Sequence, residues 1–204
     1  MMGLFAATLI YKLTSTFDWH ISGLESWDNG AILLCWHGEI LLAAAFIVKI
    51  ERAKECWAPI VQEYRLSHFM TQFTRHLGLH PVYVPGYEHP VPRRAALTQL
   101  ASNLGEKKSM FLAADGHRGP GYRIKQDPLW LAKEHNMPIL PMAFVASSGL
   151  TLPTWDKKVV PFPKSRVAVA IGPAIKEQIT AQDLHSQLMA LKKRARDILS
   201  SISS

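Results

Sequence analysis

The chain has 204 residues, 48% of them apolar and 19% charged, which supplies one hydrophobic core and argues against disorder. Two cysteines, Cys35 and Cys56, exclude a disulfide-stapled fold and fit a reducing compartment. The 23 Lys and Arg against 16 Asp and Glu leave a net charge of +7, so anionic partners are expected, and six tryptophans with a mean hydropathy of +0.03 tilt that expectation toward a membrane surface.

Residues 1–13 are mostly apolar but lack a basic start and a small-residue cleavage site, so an amphipathic helix is expected there rather than a cleaved signal. Residues 31–50 have a spanning length, yet His37, Gly38 and Glu39 sit near the middle. Burying a carboxylate in lipid costs roughly 3 kcal/mol, so no transmembrane helix is expected and any membrane association is peripheral.

The apolar run 31–36 (AILLCW) reads as a strand and the alanine-rich 39–50 as a helix. The alternation repeats: strand 57–61, helix 64–77 ended by Gly78, strand 80–84, a helix opened by Pro92 and ended by Gly105, and strand 109–114. A polar loop, 115–126, precedes a short helix at Pro128, an apolar strand at 139–145 and a last strand at 167–171. Residues 181–202 carry Leu184, Leu188, Leu191, Ala195 and Ile198 on one face, with a basic cluster at Lys192, Lys193, Arg194 and Arg196, an amphipathic closing helix expected to be solvated or lipid-facing. Alternating βα units predict a single α/β domain over 1–204, its mainly parallel sheet flanked by helices and its site at the carboxyl ends of the strands.

Two polar clusters follow buried strands, Trp36-His37-Gly38-Glu39 and Asp115-Gly116-His117-Arg118-Gly119-Pro120, and both point toward that sheet edge. His37 there is either a general base or a hydrogen-bonded structural histidine. Arg118 suits either a phosphate clamp or a solvated turn. His76 and His80 have a metal-pair spacing, but Gly78 and Pro81 break the helix that would aim them together, so no metal is expected. Nucleotide fingerprints and a nucleophile-elbow serine are lacking, and the basic tail lacks the interleaved aromatics of an RNA reader, so neither a resident cofactor nor nucleic acid is expected.

In order, WHG at 36–38, DGHRGP at 115–120, PILPM at 138–142 and WDKKVVPFPKSRVAVAIGPAI at 155–175 resemble the lysophospholipid acyltransferase superfamily. The match is closer to its bacterial branch catalogued as a domain of unknown function, and it covers roughly residues 15–175, leaving 176–204 to the closing helix. The resemblance implies a peripheral enzyme of lipid metabolism on the cytoplasmic face of the inner membrane. It would move a fatty acyl group from an acyl-coenzyme A or acyl carrier protein thioester to a hydroxyl of a lysophospholipid or lipid A-type precursor. It implies His37 as general base, with Asp115, Gly116 and Arg118 holding the acceptor's phosphate or headgroup. The apolar flanks 40–48 and 130–132 are candidates to line an acyl groove.

Three departures stand out. The superfamily's His-x-x-x-x-Asp acid falls on Leu42, so Glu39, or else Glu63, is expected to orient the base. Asp-Gly-Glu and Arg-Gly-Ser-Ser elements of the branch are replaced near 66–68 and 83–86, leaving Arg93 and Arg94 at a helix start as substitute anion holders. An altered or inactive acyl-binding module on the same fold is the alternative.

Overall fold

The computed structural model describes residues 8, 12–27, 30–63, 66–104 and 108–202. The expected N-terminal helix and the stop at Gly105 lie essentially outside these residues.

Among the described residues nine strands run in chain order: β1 (Asp18–Ser22), β2 (Ile32–Cys35), β3 (Cys56–Val61), β4 (His80–Val84), β5 (Ser109–Ala113), β6 (Ile139–Ala146), β7 (Gly149–Thr151), β8 (Val159–Pro161) and β9 (Arg166–Ile171). Five described α-helices are α1 (Ile40–Lys49), α2 (Ser67–His76), α3 (Pro90–Leu104), α4 (Gln126–His135) and α5 (Ala181–Ile202). Seven strands form one sheet in the order β1-β9-β6-β2-β5-β3-β4, parallel throughout except for the antiparallel β6–β9 pair. β7 and β8 pair antiparallel as a separate two-stranded ribbon.

Strand β2 shows why the apolar run lacks alternation. Leu33 and Cys35 face a core shared with Leu42, Phe46 and Ile47 of α1 and Phe73 of α2. Ile32 and Leu34 face the opposite core, shared with Leu97 and Leu100 of α3, Leu131 of α4 and Leu184 and Leu188 of α5. A central parallel strand buried on both faces needs apolar residues at every position. Gly78, at φ +84°, closes the turn after α2. Helix α5 begins at a cap in which Thr180 Oγ1 accepts from the Asp183 amide at 3.1 Å and donates to the Asp183 carboxylate at 2.6 Å.

Two expectations change. The apolar stripe of α5, including Leu191, Ala195 and Leu199, packs on Ala143, Ala168 and Ala170 of the sheet, so it is core and not a lipid-facing surface. Residues 40–48 and 130–132 lie in cores on opposite faces of the sheet, which prevents them from walling one groove. The edge strand β1 and the ribbon were not legible because their burial alternates irregularly and their runs are short. No helix among the described residues is long and apolar enough to cross a membrane.

Candidate active site

Parallel register brings the first two polar clusters together. Cys35 of β2 stands beside Ala113 of β5, so the chain leaves both strands at the same edge, with His37 two residues beyond one and Asp115 two beyond the other. The His37 amide donates to Asp115 Oδ1 at 2.8 Å, and the Tyr122 amide donates to Asp115 Oδ2 at 3.1 Å. Asp115 is buried, and both its oxygens are spent on backbone amides: it fixes the turn that carries His37 and the loop 115–122, rather than facing a headgroup.

The imidazole meets a residue 119 positions downstream. His37 Nδ1 lies 2.7 Å from Asp156 Oδ2, in the loop between β7 and β8. Because an ionised carboxylate only accepts, Nδ1 carries the proton and Nε2 is left as the ring's acceptor. Nε2 has no hydrogen-bond partner among the described residues, and the His37 side chain retains 21% exposure. Asp156 Oδ1 accepts from Thr154 Oγ1 at 2.5 Å, and Lys158 Nζ reaches Asp156 Oδ2 at 2.8 Å and the His37 carbonyl at 3.3 Å. The Trp155 indole stacks on the imidazole with centroids 5.1 Å apart.

Glycines make these approaches possible. A Cβ on Gly38 would stand 2.2 Å from the Asp156 carbonyl oxygen, and one on Gly119 would stand 2.4 Å from the Trp155 ring. Gly38→Ala is therefore expected to push the Asp156 loop off His37 and to destabilise the fold by about 1–3 kcal/mol, as overpacking does. Chemical denaturation measures the cost, and the Nδ1 proton resonance of His37 reports the lost contact.

The electrostatics set a base. Burial, followed by the nearby Lys158 charge, lowers the His37 pKa from its usual value, while the Asp156 hydrogen bond and charge and the Asp115 charge act in the opposite direction. Burial works to raise Asp156, but hydrogen bonds from Lys158, Thr154 and His37 outweigh it and hold the carboxyl well below the usual range. The imidazole is thus neutral near pH 7, oriented, and open at Nε2. Lys158→Met removes one of the two influences holding the His37 pKa down, so that pKa is expected to rise and the protonated form to persist to higher pH. A side-chain NMR titration of His37 in both proteins measures it, and an unchanged midpoint would show that Lys158 does not tune the ring.

Glu39 turns away from the imidazole, which corrects its expected role. Its Oε2 accepts the Phe144 amide at 2.9 Å, on the edge of β6 where β2 has already ended, and its Oε1 meets Lys192 Nζ of α5 at 2.7 Å. Lys192 also donates to Tyr122 Oη at 3.0 Å. Glu63 is elsewhere as well, accepting the Gly86 amide at 2.9 Å. The orienting acid was missed because no local spacing links Asp156 to His37; the WD pair at 155–156 was part of the resemblance but carried no role.

The expected anion holders divide. Arg93 is buried, its Nε and Nη2 on Asp127 Oδ2 at 2.9 and 2.7 Å and its Nη1 on the Pro85 carbonyl at 2.7 Å, above the Tyr87 ring. These contacts make it a strut between α3 and α4, which corrects the expectation. Arg94 is exposed over Trp130, at the rim of a groove between α3 and α4. Arg118 keeps a 60% exposed side chain 3.2 Å from Glu88. Gly116, at φ +69°, brings its backbone against Tyr87, on which His117 stacks with ring planes 8° apart. Burial and neighbouring positive charge push the His117 pKa down to about 4.

The fold and this edge together define an α/β domain with a histidine–aspartate pair at the carboxyl ends of its parallel strands. No family model matches the chain. It is 20% identical over 145 residues, 71% of its length, to an uncharacterized protein of Rickettsia prowazekii (strain Madrid E), of which it spans 63%. Its structure is similar to the crystal structure of the 1-acyl-sn-glycerophosphate acyltransferase PlsC from Thermotoga maritima, with a TM-score of 0.57 and 16% identity, over 97% of this chain and 81% of that one. The expected acyltransferase fold is thereby observed.

Proposed function

We propose that this chain is an acyltransferase with His37 as its general base. The observation that carries the reading is the held Nδ1 and free Nε2 of a neutral imidazole at the carboxyl edge of an acyltransferase fold. In the proposed reaction, Nε2 takes the proton from an acceptor hydroxyl while its oxygen attacks the carbonyl carbon of an acyl thioester. The carbon–sulfur bond then breaks, the acyl group stays as an ester, and the thiolate leaves with the proton returned from Nε2. Asp156 keeps Nδ1 protonated throughout and stabilises the transient imidazolium. Such chemistry requires no metal or resident cofactor.

Acyl-coenzyme A or acyl carrier protein is the proposed donor, a lysophospholipid or lipid A-type precursor the proposed acceptor, and the cytoplasmic face of a bacterial inner membrane the proposed location. Arg118 is proposed to meet acceptor phosphate, exchanging Glu88 for it. The inactive-module alternative rested on a missing acid, and the 2.7 Å contact of Asp156 with His37 Nδ1 supports the active reading over it. Free-thiol release from acyl-coenzyme A and acyl carrier protein donors with membrane lipid extract tests the reading. Release that depends on lipid and falls by about 10²–10⁴-fold in His37→Ala is expected. Full activity in that variant would refute it.

A further inference from the structure

The ribbon that carries Asp156 also carries an apolar face the proposed reaction does not use. In the ribbon, Leu150 pairs with Val160, and the Phe162 amide continues the ladder to the Ser148 carbonyl at 3.3 Å. Side chains on paired strands alternate between faces, so Leu150, Val160 and Phe162 share one, while Pro161 on the other is buried. Leu150 is 56% and Phe162 52% exposed, and Trp155, beside His37, is 41% exposed.

Within the ribbon segment the exposed charge is of one sign. Residues 147–165 contain Lys157, Lys158 and Lys164 and a single acid, Asp156, which is buried in the His37 contact. Lys157 and Lys164 are exposed. The Lys164 amide donates to Thr16 Oγ1 at 3.0 Å, which brings alongside both the exposed Lys12 and the exposed Asp18, whose carboxylate lies 2.9 Å from His20 Nε2. Apolar side chains flanked by exposed lysines, with no exposed carboxylate in the segment, complement an anionic bilayer, where aliphatic and aromatic groups enter the headgroup boundary and ammonium groups meet lipid phosphates.

We propose that the β7–β8 ribbon is the element that docks this chain on an anionic bilayer through Leu150, Val160, Phe162, Lys157 and Lys164. The choice of a bilayer as partner rests on the acyltransferase reading. Docking there places the loop with Trp155 and Asp156, and hence His37, at the lipid surface.

Co-sedimentation of the full chain with phosphatidylglycerol–phosphatidylcholine vesicles, compared with phosphatidylcholine alone, tests this with no acyl donor present. Retention on the anionic vesicles is expected, with about tenfold or greater weakening in both Leu150→Glu/Phe162→Glu and Lys157→Glu/Lys164→Glu. The second pair substitutes exposed polar positions, so a folding failure of the first would leave the test intact. Binding unaltered in these variants, equal binding to neutral vesicles, or no vesicle binding, as a protein partner would give, overturns the proposal. Because no thioester is consumed, failure of docking is distinguishable from failure of the acyltransferase reading.

Discussion

Asp156→Asn is expected to lower acyl transfer by about 10²–10⁴-fold while the protein stays folded. The carboxylate fixes the tautomer: with Asp156 ionised, Nδ1 donates and Nε2 accepts. An asparagine in its place presents an amide N–H to Nδ1 as readily as a carbonyl oxygen. In the first arrangement the ring proton moves to Nε2, which then has no lone pair for an acceptor hydroxyl. The loss should appear in kcat more than in KM, because no ligand-facing group is removed. Steady-state kinetics with a thiol-release readout, alongside circular dichroism, measures it. Wild-type kcat in a folded Asp156→Asn protein would remove Asp156 from the machinery and reopen the question of what orients His37.

Glu39→Ala is expected to destabilise the fold by about 3–5 kcal/mol, the range for breaking a buried ion pair from one side. Only 5% of the Glu39 side chain and 14% of the Lys192 side chain are exposed. Removing the carboxylate strands Lys192 and leaves the Phe144 amide without its acceptor. The double variant Glu39→Ala/Lys192→Met should recover part of this loss, since no uncompensated charge then remains. Urea unfolding of the four proteins in the cycle gives the coupling.

Lys192→Met alone adds a pH signature. Burial raises the Glu39 carboxyl above its usual pKa, with Lys192 the largest influence in the opposite direction, so the variant's carboxyl rises further. A folded-state pKa above the unfolded value of about 4.3 means the native state holds its proton longer. Stability is then fully present below that unfolded value and is lost as pH rises through the folded pKa. Unfolding curves across that window, steeper in their pH dependence than the wild type's, are the expected result.

The same pair explains a division of labour that the local sequence disguised. Glu39 sits two residues from His37 and invites assignment as its partner, yet Ile40 begins α1 immediately after it and the carboxylate points to β6 and α5. It joins the base-bearing turn to the closing helix. In the same way Asp115 and Arg93, which read as ligand-facing groups beside glycines and at a helix start, are consumed by backbone amides or by Asp127. Their neighbours Arg118 and Arg94 retain exposure.

What the sequence by itself determined follows from short-range physics. Apolar runs such as 31–36 and 139–145 had to be buried strands, Gly78 had to close a helix, a proline had to open α3, though it is Pro90 and not the expected Pro92, and alternating units had to give a largely parallel sheet. His37 and Asp115 were placed at one edge by the same reasoning, because each follows such a strand. Tertiary structure alone decided the antiparallel β6–β9 step, the partner of His37 and the fate of each candidate carboxylate. The partner of His37 and the fates of Asp115 and Glu39 depend on contacts between residues 78 to 153 positions apart, from His37–Asp115 through His37–Asp156 to Lys192–Glu39, and local pattern carries no information at that range. A carboxylate's role is set by whichever donor reaches it in the folded chain, and only packing fixes which donor that is.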